Sequence, residues 1–415
     1  MSLNGLVQVM EKKLLHTPEG VRDIYNVECE NKLHLQEVIH KTLKLYGYND
    51  IQTPTFEFFD IFNKEKGSAP SKNLYKFFDR EGNTLVLRPD MTPSIARAAS
   101  KYYMDDDMPI RFCYMGNTFI NNAEHQGKLK ETTQIGAELI ADNKSDSDAE
   151  AIAITIDSLI RCGLKDFQIE VGHADYFKGL IEIAALDDDT IYELKELLSN
   201  KNYFGVEEIV SDMCIPENIK TAFIRLPEMV GSIDVIKEAK ALVSNSKITN
   251  ALDRLEKVYN ILKLYGYEKY ISFDLGTISN YQYYTGIIFR GYTYGTGDAI
   301  ATGGRYDKLL KQFGKDSPSI GFCINIDTLL IAMQRQKLDI GGAALKQVVL
   351  YDNDVSRNAI ELAIKLRESN INTELIRKSS RFTLEDYIEF ERKNSVSVIH
   401  YITESGIQDI TVNGN

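Results

Sequence analysis

Two short stretches of the 415-residue chain carry side chains whose types and spacing suit a ligand. In TTQIGAELI, residues 132–140, the two-residue period of a strand sets Gln134, Gly136 and Glu138 on one face, and the glycine leaves room above it. The Glu138 carboxylate can receive an ammonium group, and the Gln134 amide can hydrogen-bond to that group or to a neighbouring carboxylate, an arrangement suited to an amino acid. A solvated polar sheet face accounts for the same pattern equally well. In RPDMT, Arg88, Asp90 and Thr92 fall at alternate positions after the apolar TLVL, so all three project together if the strand continues past Pro89. Asp90 can then pair with an imidazolium. Alternatively, Arg88 and Asp90 form a structural pair or cap a helix over Ser94–Ser100; spacing does not choose between these readings.

Catalytic signatures are absent. There is no GxxxxGK phosphate loop, GxSxG elbow or HExxH metal site, and His16, His34, His40, His125, His173 and His400 are isolated from one another. The glycine-rich GYTYGTGDAIATGGRYD fits turns and close backbone packing better than a phosphate cradle. The cysteines Cys29, Cys113, Cys162, Cys214 and Cys323 lack any CxxC or Cys/His ligand spacing, so no metal and no cofactor is expected.

Positioning these residues falls to an antiparallel framework. Apolar residues from Leu35 to Tyr46 recur at helical spacing until Gly47, and an edge-like strand follows over Asp50–Pro54. The turn DREGN separates residues 75–78 from 84–87 as a hairpin, and residues 111–120 and 131–140 form a second, longer hairpin. Between about 176 and 264 the pattern turns helical and rich in Glu, Lys and Leu, which reads as an insertion. A strand at 320–324 leads into a helix from about Asp327. The expected organisation is a core over residues 1–335, a linker over 336–346 containing Gly341 and Gly342, and a small α/β domain over 347–415 with two helices and three strands.

With 43% hydrophobic and 26% charged residues the chain is an ordinary folded protein, and its length calls for more than one domain. The net charge of −12 and the lack of a basic cluster disfavour a nucleic-acid partner. No run of about 18 apolar residues and no signal-like N-terminus occurs, so a cytoplasmic protein without a membrane partner is expected.

TPEGVRD (17–23), YGYNDIQTPTFE (46–57), KFFDREGNTLVLRPDMTPSIAR (76–97), TTQIGAELI, YYTGIIF (283–289) and GGRYDKLL (303–310) follow the order found in histidyl-tRNA synthetases, which the chain resembles from about Thr17 to Met333. The resemblance implies an α+β fold with a class II aminoacyl-tRNA synthetase-like core, an antiparallel sheet flanked by helices, forming a homodimer through the first motif. It also implies a histidine site, with Glu138, Gln134 and Thr92 at the α-amino end and Asp90 and Tyr284, beside Tyr283, at the imidazole. Asp90 stands where the synthetases usually have glutamate.

The adenylating residues do not carry over. By the same alignment, three arginines that grip ATP are replaced by Ile120, Ser279 and Thr328, and an adenine-contacting glutamate by Asn122. Removal of one such charge-stabilising donor typically costs on the order of 10²–10³ in rate, so loss of three points away from catalysis. A kept amino-acid cradle beside a lost ATP grip resembles the regulatory subunits of short-form ATP phosphoribosyltransferases, as does LVLRPDMT followed by PSIAR. That family implies a non-catalytic subunit that activates a short-form catalytic subunit within a hetero-oligomer and relays feedback inhibition by histidine. The tail after Gln347 resembles an abbreviated anticodon-binding domain without a final helix, and no tRNA partner is expected. An active histidyl-tRNA synthetase and a histidine- or tRNA-sensing regulator are the alternatives.

Overall fold

The computed structural model describes residues 15–63, 69–122, 127–200, 202–277, 283–341, 346–394 and 396–412. Ser279, His125 and most of the glycine-alanine part of the expected linker lie outside them.

The chain divides into two compact units. The larger comprises residues 1–22 and 35–339, and the smaller comprises residues 23–34 and 340–415. The helix Asn26–Leu45 buries Leu35, Ile39, Thr42 and Leu43 at the expected helical spacing. β1 is only Asn49–Asp50, shorter than the Asp50–Pro54 strand expected, and the chain then leaves the ladder. β2 (Phe56–Phe58), β3 (Lys76–Phe78) and β4 (Thr84–Leu87) make a three-stranded sheet in the order β2-β4-β3.

β4 stops at Leu87, so the strand does not continue past Pro89. Proline has no N–H to give to a ladder. The helix Thr92–Tyr102 begins three residues later, longer at both ends than the 94–100 expected.

β5 (Ile110–Phe119) and β6 (Glu131–Ile140) form the long hairpin that their apolar patterning predicts, in register from Ile110↔Ile140 to Phe119↔Glu131. After the helix Ser145–Arg161 comes β7 (Phe167–His173). Helices Ala174–Ala184, Asp188–Ser199, Tyr203–Ser211, Glu217–Arg225, Asp234–Leu242 and Ser246–Leu264 follow, interrupted by the short β8 (Val230–Gly231). The chain returns through β9 (Ile271–Asp274), β10 (Ile287–Thr293), β11 (Ala301–Arg305) and β12 (Ser319–Asn325), then the helix Ile326–Arg335.

The large sheet runs β1-β5-β6-β12-β11-β10-β7-β9-β8. Every pairing from β5 to β7 is antiparallel, and only β1–β5 and β7–β9 are parallel. The helix Ser145–Arg161 contributes a nearly continuous buried face, with Ala149, Ile152, Ile156 and Leu159 fully enclosed.

The smaller unit holds β13 (Lys346–Tyr351), β14 (Thr373–Arg377), β15 (Val396–Thr403) and β16 (Gly406–Thr411), with the helices Ser356–Glu368 and Leu384–Arg392. Its sheet order is β14-β13-β15-β16. β16 was not among the expected strands; it pairs antiparallel with β15 across the turn at Glu404–Ser405. Among the described residues, no helix is long and apolar enough to cross a membrane.

Candidate functional site

β6 and its neighbours lay out three rows on one face of the sheet. Glu138 stands opposite Gly321, which stands opposite Gly304. Two residues along, Gly136 faces Cys323, which faces Thr302; two further, Gln134 faces Asn325. The glycines are needed. A Cβ on Gly321 would run into the Glu138 carboxylate, and one on Gly136 would meet the Phe322 carbonyl and lie 2.7 Å from the Tyr114 hydroxyl. One on Gly304 would lie 2.9 Å from the Tyr284 ring. Without these Cβ atoms the carboxylate and the phenols lie close against the backbone floor.

Glu138 is buried at 1% exposure. One carboxylate oxygen accepts from Thr92 Oγ1 at 2.8 Å and the other from the Tyr306 hydroxyl. Neither donor carries charge. Burial is the largest influence on this group and Asp90 adds repulsion; the two hydroxyls pull the other way, leaving the carboxyl pushed up to about 8. Burial and the nearby carboxylates hold Tyr306 and Tyr114 well above the usual phenol range, so both remain neutral donors.

Asp90 sits beside this pair. Its carboxylate accepts from the Thr92 backbone N–H at 3.2 Å and from the Tyr283 hydroxyl at 2.9 Å. The helix start thus brings Asp90 and Thr92 together, a turn doing what the strand was expected to do. Arg88 departs from the expected trio. Its guanidinium donates to the carbonyls of Asn117, Thr53 and Pro54, a structural role that ties three segments together.

Asp90, Thr92, Tyr283 and Tyr284 line one cleft with Tyr114, Thr302, Tyr306, Gly321, Phe322 and Cys323, and Glu138 is reached through Thr92 and Tyr306. The cleft is narrow, holding about 10 Å³, roughly one water. The ring of Tyr283 packs edge-on against both Tyr284 and Tyr306, at centroid distances of 5.0 and 6.0 Å. Gln134 instead lines an adjoining cavity of about 450 Å³ that shares Thr302 and Cys323 with the cleft. Its Oε1 is buried and accepts no hydrogen bond. The Glu138 carboxylate, buried beside Asp90 and held by two neutral hydroxyls, suits a ligand that brings its own N–H groups and positive charge.

Tyr306 and Tyr114 were missed as individual site residues. Tyr306 follows directly on β11 in GGRYD, and the paired glycines before it signal close backbone approach rather than a side chain's role. The neighbouring Arg305 is also buried, donating to Asp148, Ser147, Asp307 and the Asp142 carbonyl, which fixes the strand end that carries Tyr306.

Ile120 and Thr328 both line the 450 Å³ cavity, Ile120 at 36% exposure and Thr328 in the first turn of its helix, where its N–H is capped by the Asn325 side chain at 3.0 Å. Asn122 has its backbone N–H on the Ile120 carbonyl at 3.0 Å. Ser279 lies outside the described residues. Of the cations lining the cavity, Lys128 pairs with Asp298 at 3.1 Å and Arg335 donates to the Gly295 carbonyl at 2.7 Å. Away from this region, His40, Asp50 and Cys113 bring potential metal-ligand atoms within 4.8 Å of one another. Lys44 already neutralises that aspartate at 3.0 Å, which makes the group an ion-pair cluster.

The chain matches the histidyl-tRNA synthetase family model over residues 20–329. The ATP phosphoribosyltransferase regulatory subunit of Acetivibrio thermocellus is 39% identical over 361 residues, 87% of this chain and 86% of that protein. Its counterpart in Clostridium novyi is 39% identical over 396 residues, covering 95% and 93% of the two chains. A solved structure described as an ATP phosphoribosyltransferase regulatory subunit/histidyl-tRNA synthetase from Bacillus halodurans superposes with a TM-score of 0.83 at 30% identity, over 94% of this chain and 98% of the other. A histidyl-tRNA synthetase from Nostoc sp. PCC 7120 gives a TM-score of 0.79 over 95% and 96% of the chains at 19% identity, a likeness of fold alone. The α+β core is thus of the class II synthetase type, and the chain belongs to the ATP phosphoribosyltransferase regulatory subunit family of histidyl-tRNA synthetase-like proteins.

Proposed function

We infer that this chain is the regulatory subunit of an ATP phosphoribosyltransferase, activating a short-form catalytic subunit and carrying feedback inhibition by histidine in the first step of histidine biosynthesis. The observation that carries the sensing role is the buried Glu138 carboxylate, satisfied only by the neutral hydroxyls of Thr92 and Tyr306, next to Asp90. Histidine binds with its ammonium on Glu138 and Thr92, its imidazole against Asp90 and Tyr284, and Gln134 at the cavity side. Because Tyr283 donates to Asp90 in a cleft of about 10 Å³, binding requires that hydroxyl to give way to the ring. Occupancy and a local rearrangement are thereby coupled, as feedback control needs.

The subunit itself does no chemistry. Ile120 and Thr328 offer no cation to an α-phosphate, so histidyl-adenylate does not form. It works as a homodimer within a hetero-oligomer, in the cytoplasm and without tRNA. The test is to mix the full chain with a short-form catalytic subunit, isolate the complex and measure phosphoribosyl-ATP formation with and without histidine. Histidine-dependent pyrophosphate exchange by this chain alone, abolished in the Glu138→Gln variant, would instead identify a synthetase.

A further inference from the structure

We propose that the helical insertion sets the affinity of the histidine site, with Arg254 as the positioning residue that ties it to the strand end carrying Tyr306; this rests on the histidine-sensing reading above. The last insertion helix, Ser246–Leu264, packs on the helix Ser145–Arg161 of the core. In the first turn of that core helix the Asp148 carboxylate is fully buried and shared by two arginines. Its Oδ1 accepts from Arg305 Nε at 2.8 Å and lies 2.7 Å from Nη2 of the same guanidinium, and its Oδ2 accepts from Arg254 Nε at 2.6 Å. Arg254, on the insertion helix, also donates to the Asn143 side chain and to the carbonyls of Asn143 and Lys144.

Arg305 is followed directly by Tyr306, the phenol that donates to Glu138. Held from both sides, the Asp148 carboxylate gives the Arg305 guanidinium a single seat, and the backbone around it is tightly packed. The Arg305 carbonyl accepts from the Thr285 N–H at 2.7 Å, next to Tyr284, and a Cβ on Gly286 would lie only 3.0 Å from Arg305 Cδ. The start of the insertion meets the same place. Its Ala174 N–H donates to the Gly286 carbonyl at 2.9 Å, and Lys178 Nζ donates to the Tyr284 carbonyl at 3.3 Å. The insertion therefore holds two walls of the site, Tyr284 through Lys178 and Tyr306 through Arg254, Asp148 and Arg305. An ammonium that ionises Glu138 strengthens the hydrogen bond from Tyr306 and so favours the locked arrangement of Arg305 and Asp148. By linkage, a docked insertion favours histidine by the same factor. Without Arg254, Asp148 keeps one arginine, and Arg305 is free to shift toward Asp307, which it already meets at 3.1 Å.

Calorimetry with histidine on the full chain tests this for the parent, Arg254→Gln, Arg254→Lys and Arg225→Gln, together with hydrogen exchange of the insertion helices. Arg254 is 22% exposed and its loss leaves the buried Arg305–Asp148 pair in place, so a folded protein is expected. Arg254→Gln should weaken histidine about fivefold or more, and Arg254→Lys, which keeps a cation beside Asp148, by less. Arg225→Gln breaks an exposed insertion ion pair, 2.9 Å to Glu238, that has no part in these contacts, and should leave affinity unchanged. Histidine should slow exchange in the helices Ala174–Ala184 and Ser246–Leu264 of the parent and not in Arg254→Gln, a difference that a salt bridge serving only the fold does not produce. If the glutamine variant does not fold, the lysine variant carries the test, with weaker binding still expected. A folded Arg254→Gln protein that melts lower but binds histidine like the parent overturns the proposal and leaves the sensing reading standing, as does equal weakening by Arg225→Gln. Failure of the parent to bind histidine removes the reading beneath it.

Discussion

Glu138 is a buried acid whose neighbours leave it short of positive charge, and two measurable consequences follow. Histidine binding needs the carboxylate ionised, so with the carboxyl pushed up to about 8 in the free protein each binding event below that pH releases a proton. Affinity should rise with pH, by about fivefold between pH 7 and 8, and titrations at pH 7 in buffers of different ionisation heat should show release of about one proton. A pH-independent affinity over that range would mean that the ammonium lies elsewhere. Stability moves the opposite way. The folded chain holds a proton on Glu138 that the unfolded chain has lost between about 4.5 and 8, so this group's contribution is present at low pH and disappears as pH rises through that window. Glu138→Gln should therefore melt higher than the parent at pH 8 without histidine, while weakening histidine binding roughly ten- to a hundred-fold through loss of a charge-assisted contact worth about 1.5–3 kcal/mol. A variant that melts lower and binds unchanged would contradict both halves.

The elements around that residue work through the missing side chains of their glycines. Gly321→Ala puts a methyl into the Glu138 carboxylate and Gly136→Ala puts one into a backbone carbonyl, so each is expected to cost about 1–3 kcal/mol of stability, measured by denaturant unfolding. The first should also abolish histidine binding by moving the carboxylate; normal affinity in a folded Gly321→Ala protein would show that its position does not matter. The sequence made part of this floor legible. Alternation in TTQIGAELI set Gln134, Gly136 and Glu138 on one face, and the patterns on either side of the loop gave the β5–β6 hairpin. What alternation cannot encode is partnership at a distance: Glu138 pairs with Gly321 across more than half of the large unit, so Gly321 and Cys323 carried no local sign of belonging to the site. RPDMT shows the limit from the other side. Pro89 ends the ladder, and Asp90 and Thr92 meet just ahead of and at the start of a helix, where the Thr92 N–H donates to the Asp90 carboxylate, a turn that strand alternation does not encode. β16 went unseen because its side chains are almost all exposed and lack an apolar face to mark them.

For the molecule as a whole, the proposed role requires a subunit that binds histidine without adenylating it to act by favouring one state of an assembly over another. Coupling of that kind typically amounts to about 1–3 kcal/mol, or 5- to 150-fold in affinity. The most direct test is the rate of phosphoribosyl-ATP formation by the isolated complex of this chain with a short-form catalytic subunit, titrated with histidine, for the parent and for Glu138→Gln. The expected result is a complex more active than the catalytic subunit alone and inhibited by histidine, with the inhibition curve of the variant displaced about ten- to a hundred-fold to higher histidine. No association and no gain in rate would contradict the regulatory role, and identical inhibition of parent and variant would contradict the cleft around Glu138 as its sensor.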